Sequence, residues 1–125
     1  MDTGLRVLVV DDSDLIRRRV VEVLAGVPGV AQVSEAPGAP EARLALRDAS
    51  PDVIVLDIWM PGGNGIDLLR SIKTEGRRAF VVMLTNYTHG PYRQACLDAG
   101  ADAFLDKSAD LGRLFAIVER LAEER

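Results

Sequence analysis

The stretch that decides the fold reads Val53-Ile54-Val55-Leu56-Asp57-Ile58-Trp59-Met60-Pro61-Gly62-Gly63-Asn64-Gly65. It opens with four apolar residues, three of them β-branched, and then reaches the carboxylate of Asp57. A short continuous apolar run of this kind is typical of a strand that is covered on both faces, as in a parallel sheet. Pro61 and the glycines after it are turn-forming residues. We therefore predict a buried strand that ends at Asp57.

Similar apolar runs occur along the rest of the chain and alternate with helical patterns. Two further runs are strong, at residues 5–10 and 80–84, and two are weaker, at residues 31–35 and 103–105. Apolar residues at helical spacing lie between and after them, and Ser13 can cap the first helix. Five strands that alternate with five helices predict a mostly parallel sheet with helices on both faces. We expect residues 1–125 to form one α/β domain.

Composition excludes several functional classes. The net charge of −4 shows no basic footprint for nucleic acid, and we interpret Arg17-Arg18-Arg19 as a solvated helix face. A single cysteine, Cys96, allows neither an intrachain disulfide nor a zinc cluster, and its apolar stripe predicts a buried thiol. The chain has neither the pattern of a signal peptide nor a run of about 20 apolar residues. We therefore expect a cytoplasmic protein with no membrane insertion.

Polar residues follow four of the predicted strands. In an open α/β sheet, ligands bind at the carboxyl ends of the strands. Each residue alone has an ordinary explanation, because an Asp after a strand is often a turn residue or a helix cap. Together they predict one crevice where carboxylates bind a hard cation such as Mg²⁺, and where Asp57 is a nucleophile of the aspartyl-phosphate kind. The residues are Asp11, Asp12, Asp57, Thr85 and Lys107.

The same residues carry a resemblance to a known family. The chain resembles the receiver domains of two-component response regulators over nearly its whole length. Beside the Asp-x-x-Met-Pro-Gly-x-x-Gly segment that starts at Asp57, the matching motifs end the first, fourth and fifth strands. They are Val7-Leu8-Val9-Val10-Asp11-Asp12, Val82-Met83-Leu84-Thr85 and Gly100-Ala101-Asp102-Ala103-Phe104-Leu105-Asp106-Lys107. The resemblance implies a flavodoxin-like doubly wound (βα)5 fold with a five-stranded parallel sheet of order 2-1-3-4-5.

The resemblance also implies roles for particular residues. Asp57 is then the phospho-acceptor, assisted by Thr85 and Lys107. Mg²⁺ or Mn²⁺ is bound by Asp11, Asp12, Asp57 and the backbone carbonyl of Trp59. Thr85 and Phe104 form the switch pair that couples phosphorylation to the surface. The phosphoryl group comes from a histidine kinase or a histidine phosphotransfer protein, and the switched surface acts on a downstream protein that the sequence does not identify.

The chain departs from the family pattern at several positions. Ser108 replaces the proline that usually follows the lysine, so the Lys107–Ser108 bond is either trans with an altered loop or a strained cis bond. Asn86 stands where a small residue is common, and its side chain can crowd the phosphoryl pocket or donate to it. In the family, the positions two residues after the acceptor and two after the switch hydroxyl flank the path of water to the phosphoryl group. Trp59 and Tyr87 stand at these positions, so the resemblance implies a shielded and long-lived phosphoaspartate. In the alternative, both rings face solvent or a partner.

Three other functions fit less well. A phosphate-independent pseudo-receiver would lack the acceptor, the acidic pair or the lysine, and all of these are present. A phosphohydrolase with an Asp nucleophile would need a second Asp where Trp59 stands. A flavin or dinucleotide site would need a Gly-rich or hydroxyl-rich first turn, and Asp11-Asp12 would repel phosphate there. Arg125 follows the last predicted helix, so the chain is either a stand-alone receiver or a part of a longer protein. We expect a signalling domain that catalyses only its own phosphorylation and dephosphorylation.

Overall fold

A computed structural model of the protein describes residues 4–125, so residues 1–3 of the predicted domain lie outside the described part. Strands and helices alternate along the chain. In order they are β1 (Leu5–Val10), α1 (Asp14–Ala25), β2 (Val30–Ala36), α2 (Ala39–Asp48), β3 (Val53–Leu56), β4 (Trp59–Met60), β5 (Gly63–Asn64), α3 (Gly65–Thr74), β6 (Phe80–Thr85), α4 (Gly90–Asp98), β7 (Ala103–Asp106) and α5 (Leu111–Glu123).

The main sheet has five parallel strands in the order β2-β1-β3-β6-β7. Counted among these five strands alone, the order is 2-1-3-4-5, so the predicted flavodoxin-like topology is confirmed. The direction in which strands are added to the sheet reverses at β1. The chain places β2 on one side of β1 and then β3 on the other side. The carboxyl ends of β1 and β3 are therefore neighbours, which brings Asp11 and Asp57 together.

Each face of the sheet carries its own apolar core. Helices α2, α3 and α4 pack on one face, where the buried residues include Ile54, Leu69 and Cys96. Helices α1 and α5 pack on the other face, where Val55 and Leu114 are buried. Successive residues of β3 point to opposite faces, and both faces are covered, which explains why the strand is apolar throughout.

Helix α1 begins as the sequence predicts but presents its basic run differently. The Ser13 hydroxyl caps the helix by accepting a hydrogen bond from the backbone N–H of Ile16 (3.3 Å). Arg18 and Arg19 are exposed, as predicted. The prediction is wrong for Arg17, whose side chain is only 11% exposed and is held by hydrogen bonds to neighbouring groups.

The segment after β3 contains a hairpin that the apolar pattern did not predict. Strands β4 and β5 pair antiparallel around a turn at Pro61 and Gly62, where Gly62 has a φ of +80°. Gly65, at the start of α3, lies against the preceding chain, because a Cβ added there would come within 1.8 Å of the carbonyl oxygen of Asp57. The glycines in this motif are therefore required by backbone geometry, one by a positive φ and the other by close approach.

The loop between β7 and α5 answers the question raised by Ser108. The Lys107–Ser108 peptide bond is trans, and no cis peptide bond occurs in residues 4–125. Ser108 does not cap α5; its backbone N–H and its hydroxyl both donate to Oδ1 of Asp106, at 2.8 and 2.7 Å. The N-cap residue of α5 is Asp110, whose carboxylate accepts the N–H of Asp106 instead of a helix N–H.

Two further predictions concern burial and membranes. Cys96 is fully buried, as predicted, and burial raises the pKa of its thiol to about 11. Within residues 4–125, no helix combines the length and the apolar composition that are needed to cross a bilayer.

Candidate functional site

The ammonium group of Lys107 lies between two carboxylates at the carboxyl edge of the sheet. Its Nζ is 2.6 Å from Oδ2 of Asp11 and 2.6 Å from Oδ2 of Asp57. All three side chains are nearly buried, with 4–7% of each exposed. The β1, β3 and β7 ends supply one group each, so residues far apart in sequence meet because their strands are neighbours or near neighbours in the sheet.

Asp57 is held in place by its neighbours in the chain and in the sheet. Its Oδ1 accepts a hydrogen bond from the N–H of Ile58 at 2.7 Å, and its own N–H donates to the carbonyl of Val10 at 3.3 Å. Only Oδ2 contacts Lys107. The N–H of Gly65 donates to the carbonyl of Ile58 at 2.6 Å, which ties the start of α3 to the same loop.

A third carboxylate completes an acidic cluster. Carboxylate oxygens of Asp11, Asp12 and Asp57 lie within 4.8 Å of one another. Asp11 is buried and accepts the N–H of Ser13 through Oδ1 (2.9 Å), whereas Asp12 is exposed and its carboxylate makes no hydrogen bond within residues 4–125. Three carboxylates are a hard-oxygen donor set, and Asp12 has its oxygens free for coordination. This donor set fits a Mg²⁺ or Mn²⁺ ion, which prefers carboxylate and water oxygens.

The electrostatics of the cluster follow from burial and from the lysine. Burial raises the pKa of Asp11, although the hydrogen bonds from Lys107 and Ser13 act in the opposite direction. Burial by itself would lower the pKa of Lys107, but the hydrogen bonds to Asp11 and Asp57 outweigh it and leave this pKa raised. Lys107 therefore stays an ammonium and offsets part of the repulsion between the carboxylates.

Thr85 lies at the end of β6 beside the acidic cluster and is fully buried. Its hydroxyl oxygen accepts a hydrogen bond from the N–H of Tyr87 at 3.1 Å, and its carbonyl accepts the N–H of Lys107 at 3.0 Å. The hydroxyl proton is thus left for another acceptor.

Phe104 lies on β7, three residues before Lys107, and is buried in the core that faces α4. The guanidinium carbon of Arg93 on α4 lies 5.6 Å from the centre of its ring. Sequence reasoning found Phe104 but not Arg93, because a cation over an aromatic ring has no spacing signal when the two groups are on different elements.

Three aromatic rings form a cluster in the segments that follow β3 and β6. Trp59 and Tyr87 are 46% and 42% exposed and meet edge to face, with ring centres 6.1 Å apart. Tyr92 joins them at 6.2 Å from Trp59 and 5.5 Å from Tyr87. Sequence reasoning missed Tyr92, because it lies on α4 and has no fixed spacing from Trp59 and Tyr87 that would mark it as their partner. Asn86 is exposed and forms no hydrogen bond within residues 4–125.

A doubly wound α/β domain with an acidic cluster, a buried lysine and a buried hydroxyl at the carboxyl edge of its sheet defines a class of phosphoryl-accepting signalling domains. Comparison with known families agrees. The profile described as "Response regulator receiver domain" matches residues 7–119, and the chain belongs to this family of signalling domains. The alternatives, among them the phosphate-independent pseudo-receiver, are therefore not favoured.

Individual relatives extend this result. Response regulator GacA of Pseudomonas viridiflava is 34% identical over 110 residues, which cover 88% of this chain and 51% of the relative. A protein-glutamate methylesterase/protein-glutamine glutaminase of Rhizobium etli is 44% identical over 89 residues, which cover 71% of this chain and 25% of the relative. The chain thus spans about half the length of the first of these curated relatives and a quarter of the second.

Solved structures agree with the fold. The receiver domain of the response regulator NarL from Mycobacterium tuberculosis superposes with a TM-score of 0.87 at 28% identity, covering 98% of each chain. A CheY-like receiver domain protein from Methanospirillum hungatei superposes with a TM-score of 0.86 at 25% identity, covering 97% of this chain and 95% of that one.

Proposed function

We propose that this domain accepts a phosphoryl group on Asp57 from a phosphohistidine of a histidine kinase or a histidine phosphotransfer protein. The observation that carries the proposal is the contact of one buried ammonium with two carboxylates, beside a third carboxylate that is free. A lone structural ion pair has no need of the second and third acidic groups, whereas a phosphoryl-transfer site needs acidic groups for a cation and an ammonium for the phosphoryl oxygens.

In the proposed reaction, a carboxylate oxygen of Asp57 attacks phosphorus as the phosphorus–nitrogen bond to the donor imidazole breaks. The electron pair of that bond stays on the imidazole. Lys107 then moves its hydrogen bond from Asp57 to a phosphoryl oxygen, and the Thr85 hydroxyl donates a hydrogen bond to another phosphoryl oxygen. Hydrolysis later breaks the oxygen–phosphorus bond by attack of water, which restores the Asp57 carboxylate and releases phosphate. No other substrate is acted on.

Asp11, Asp12, Asp57 and the backbone carbonyl of Trp59 are the proposed protein ligands of a Mg²⁺ or Mn²⁺ ion. When bound, the ion supplies positive charge for the phosphoryl oxygens and relieves the repulsion among the carboxylates.

We further propose that Thr85 and Phe104 couple this chemistry to a downstream protein. A phosphoryl group on Asp57 adds negative charge and acceptor oxygens, and these draw the Thr85 hydroxyl inward. The movement breaks the contact between Thr85 and the N–H of Tyr87 and changes the space beside Phe104. Because Phe104 on β7 contacts Arg93 on α4, the surface of α4 and β7 then changes.

The first experiment uses acetyl phosphate and Mg²⁺, with the intact mass of the protein as the readout. We expect a gain of one phosphoryl mass that is absent in Asp57→Asn and Asp57→Ala and in the presence of a chelator. Asp48→Asn is the matched control, because Asp48 is an exposed carboxylate at the end of α2. No gain in mass, together with no binding of Mg²⁺, would identify a phosphate-independent binding module instead.

A second test concerns the lifetime of the phosphoaspartate. We propose that the rings of Trp59 and Tyr87 shield it from water and that Asn86 lies at the rim of the same path. The edge-to-face contact of the two rings supports this proposal. Replacing both rings by Ala should speed the decay of the phosphorylated mass several-fold, whereas Leu44→Ala, at an exposed site on α2, should leave it unchanged. A wild-type lifetime of only seconds with Mg²⁺ present would contradict the proposal.

A further inference from the structure

Arg17 makes more contacts than its place in a basic run of α1 suggests. Its Nη1 donates to the backbone carbonyl of Asp11 at 2.8 Å, its Nε donates to Glu35 on β2 at 2.8 Å, and its Nη2 donates to Asp14 at 2.7 Å. The guanidinium thus joins the end of β1, the adjacent edge strand and the first turn of α1. The neighbouring Arg18 is exposed and makes no such contact within residues 4–125.

The carbonyl that Arg17 holds belongs to the turn that carries the acidic pair. The N–H of Asp11 is fixed by the carbonyl of Ala36 at 3.1 Å, and Oδ1 of Asp11 is fixed by the N–H of Ser13 at 2.9 Å. Asp12, between Asp11 and Ser13, has no side-chain hydrogen bond within the described residues, so the backbone of this turn sets the range of positions that its carboxylate can reach.

We propose that Arg17 is a positioning residue for the cation site, which orients Asp12 by fixing the carbonyl of Asp11. This inference rests on the proposed function, because it assumes that the acidic cluster binds a divalent cation. The planar guanidinium is suited to the task, since its fork of N–H groups reaches three acceptors at once, which a lysine ammonium in the same place cannot do with the same geometry.

Positioning and simple electrostatics predict opposite results. Arg17 carries a positive charge close to the acidic cluster. If charge alone mattered, removing it would make the cluster more negative and would tighten cation binding. If Arg17 positions Asp12, removing it loosens the turn and weakens cation binding. Arg17→Lys separates the two effects, because it keeps the charge and loses the fork.

The test is a Mn²⁺ titration in which electron paramagnetic resonance counts the free ion. We expect Arg17→Gln to raise the dissociation constant about tenfold, at the lower end of the range found when groups that hold metal ligands are removed. Arg17→Lys, which keeps the charge and some of the hydrogen bonds, should raise it about threefold. Arg18→Gln, which removes the same charge from the same helix, should stay within about twofold of the wild type. Circular dichroism confirms folding, and Arg17→Lys carries the test if Arg17→Gln does not fold.

A second readout follows acetyl phosphate transfer across a range of Mg²⁺ concentrations. We expect Arg17→Lys to need more Mg²⁺ for half-maximal rate and to recover the wild-type rate at saturation, because the reacting groups are unchanged. Unchanged or tighter Mn²⁺ binding in both Arg17 variants would overturn the inference. Failure of the wild type to bind Mn²⁺ would instead overturn the proposed cation site itself, so the two failures are distinguishable.

Discussion

At the scale of single residues, the position of Asp57 depends on a glycine eight residues later. The N–H of Gly65 donates to the carbonyl of Ile58, and its α-carbon lies so close to Asp57 that a Cβ would come within 1.8 Å of the Asp57 carbonyl oxygen. Real atoms do not approach so closely, so any side chain at position 65 must push the loop that carries Asp57, the proposed phospho-acceptor. The role of Gly65 is therefore steric.

We predict that Gly65→Ala destabilises the protein, whereas Gly112→Ala does not. The first change should lower the free energy of unfolding by at least about 2 kcal/mol, because the loop cannot yield without moving Asp57. Gly112 lies in α5, and no atom lies within 4 Å of a Cβ added there. Alanine at this position should therefore raise the free energy of unfolding by about 0.5–1 kcal/mol. Urea unfolding of both variants is the measurement, and equal stabilities would contradict this account.

Cys96 gives a prediction about pH. Burial raises the pKa of its thiol from an ordinary value of 9.0 to about 11. Because the buried thiol resists ionisation, its contribution to the free energy of unfolding is complete below pH 9.0. This contribution is lost as the pH rises through about 11. Two pKa units correspond to about 2–3 kcal/mol.

The measurement is the free energy of unfolding of wild type and Cys96→Ala, from about pH 8 to about pH 10.5. The wild type should lose more stability than the variant across this window. Every other titratable group is present in both proteins and cancels in the comparison. Parallel pH profiles would show that the thiol titrates normally in the folded protein.

At the scale of elements, the loop from β7 to α5 shows how this chain replaces a family proline. Ser108 follows Lys107 through a trans peptide bond and donates twice to Oδ1 of Asp106. These contacts turn the chain toward α5 while Lys107 points back to the acidic cluster. The hydroxyl and the N–H of Ser108 also lower the pKa of Asp106.

We predict that Ser108→Pro, which restores the usual family residue, lowers the urea midpoint at neutral pH, because proline has neither the hydroxyl nor the N–H. Ser108→Ala, which keeps the N–H, should be intermediate. A carboxyl whose pKa is lowered by folding stabilises the folded protein at pH values above its ordinary pKa of 3.8. This stabilisation is lost as the pH falls. The gap between wild type and Ser108→Pro should therefore narrow in acid. A higher midpoint for Ser108→Pro at neutral pH would refute this explanation.

At the scale of the whole molecule, the strand order assembles a site that no single segment contains. Strands β1, β3 and β7 are each followed by one charged group of the site, namely Asp11, Asp57 and Lys107. Helices cover both faces of the sheet that these strands form. The consequence is that binding at the carboxyl edge is linked to unfolding of the entire domain, because unfolding separates Asp57 from the pair Asp11 and Asp12.

We predict that Mg²⁺ raises the unfolding temperature and that a chelator reverses the effect. At a concentration one hundred times the dissociation constant, the stabilisation should be about 2.7 kcal/mol. Asp12→Asn should remove most of it, since this residue offers a free carboxylate to the ion. Asp48→Asn is again the control. A Mg²⁺ effect of the same size in all three proteins would show that the ion acts elsewhere.

Local patterns in the sequence were enough to predict the class of fold and to place the candidate site residues at the carboxyl edge of the sheet. Continuous apolar runs mark strands that are covered on both faces, helical stripes mark the layers, and polar residues after strands mark the binding edge, because each of these signals reflects the environment of a single element. Asp11, Asp12, Asp57, Thr85 and Lys107 were therefore found from their places at strand ends.

Only the tertiary structure decided which groups touch. The contact of Arg17 with the Asp11 carbonyl and Glu35, the meeting of Tyr92 with Trp59, and the place of Arg93 over Phe104 all join different elements. The basic run of α1 predicted solvent for Arg17, but β2 brings an acidic partner beside it. Such contacts depend on strand order and helix packing, which bring together residues that have no fixed spacing along the chain.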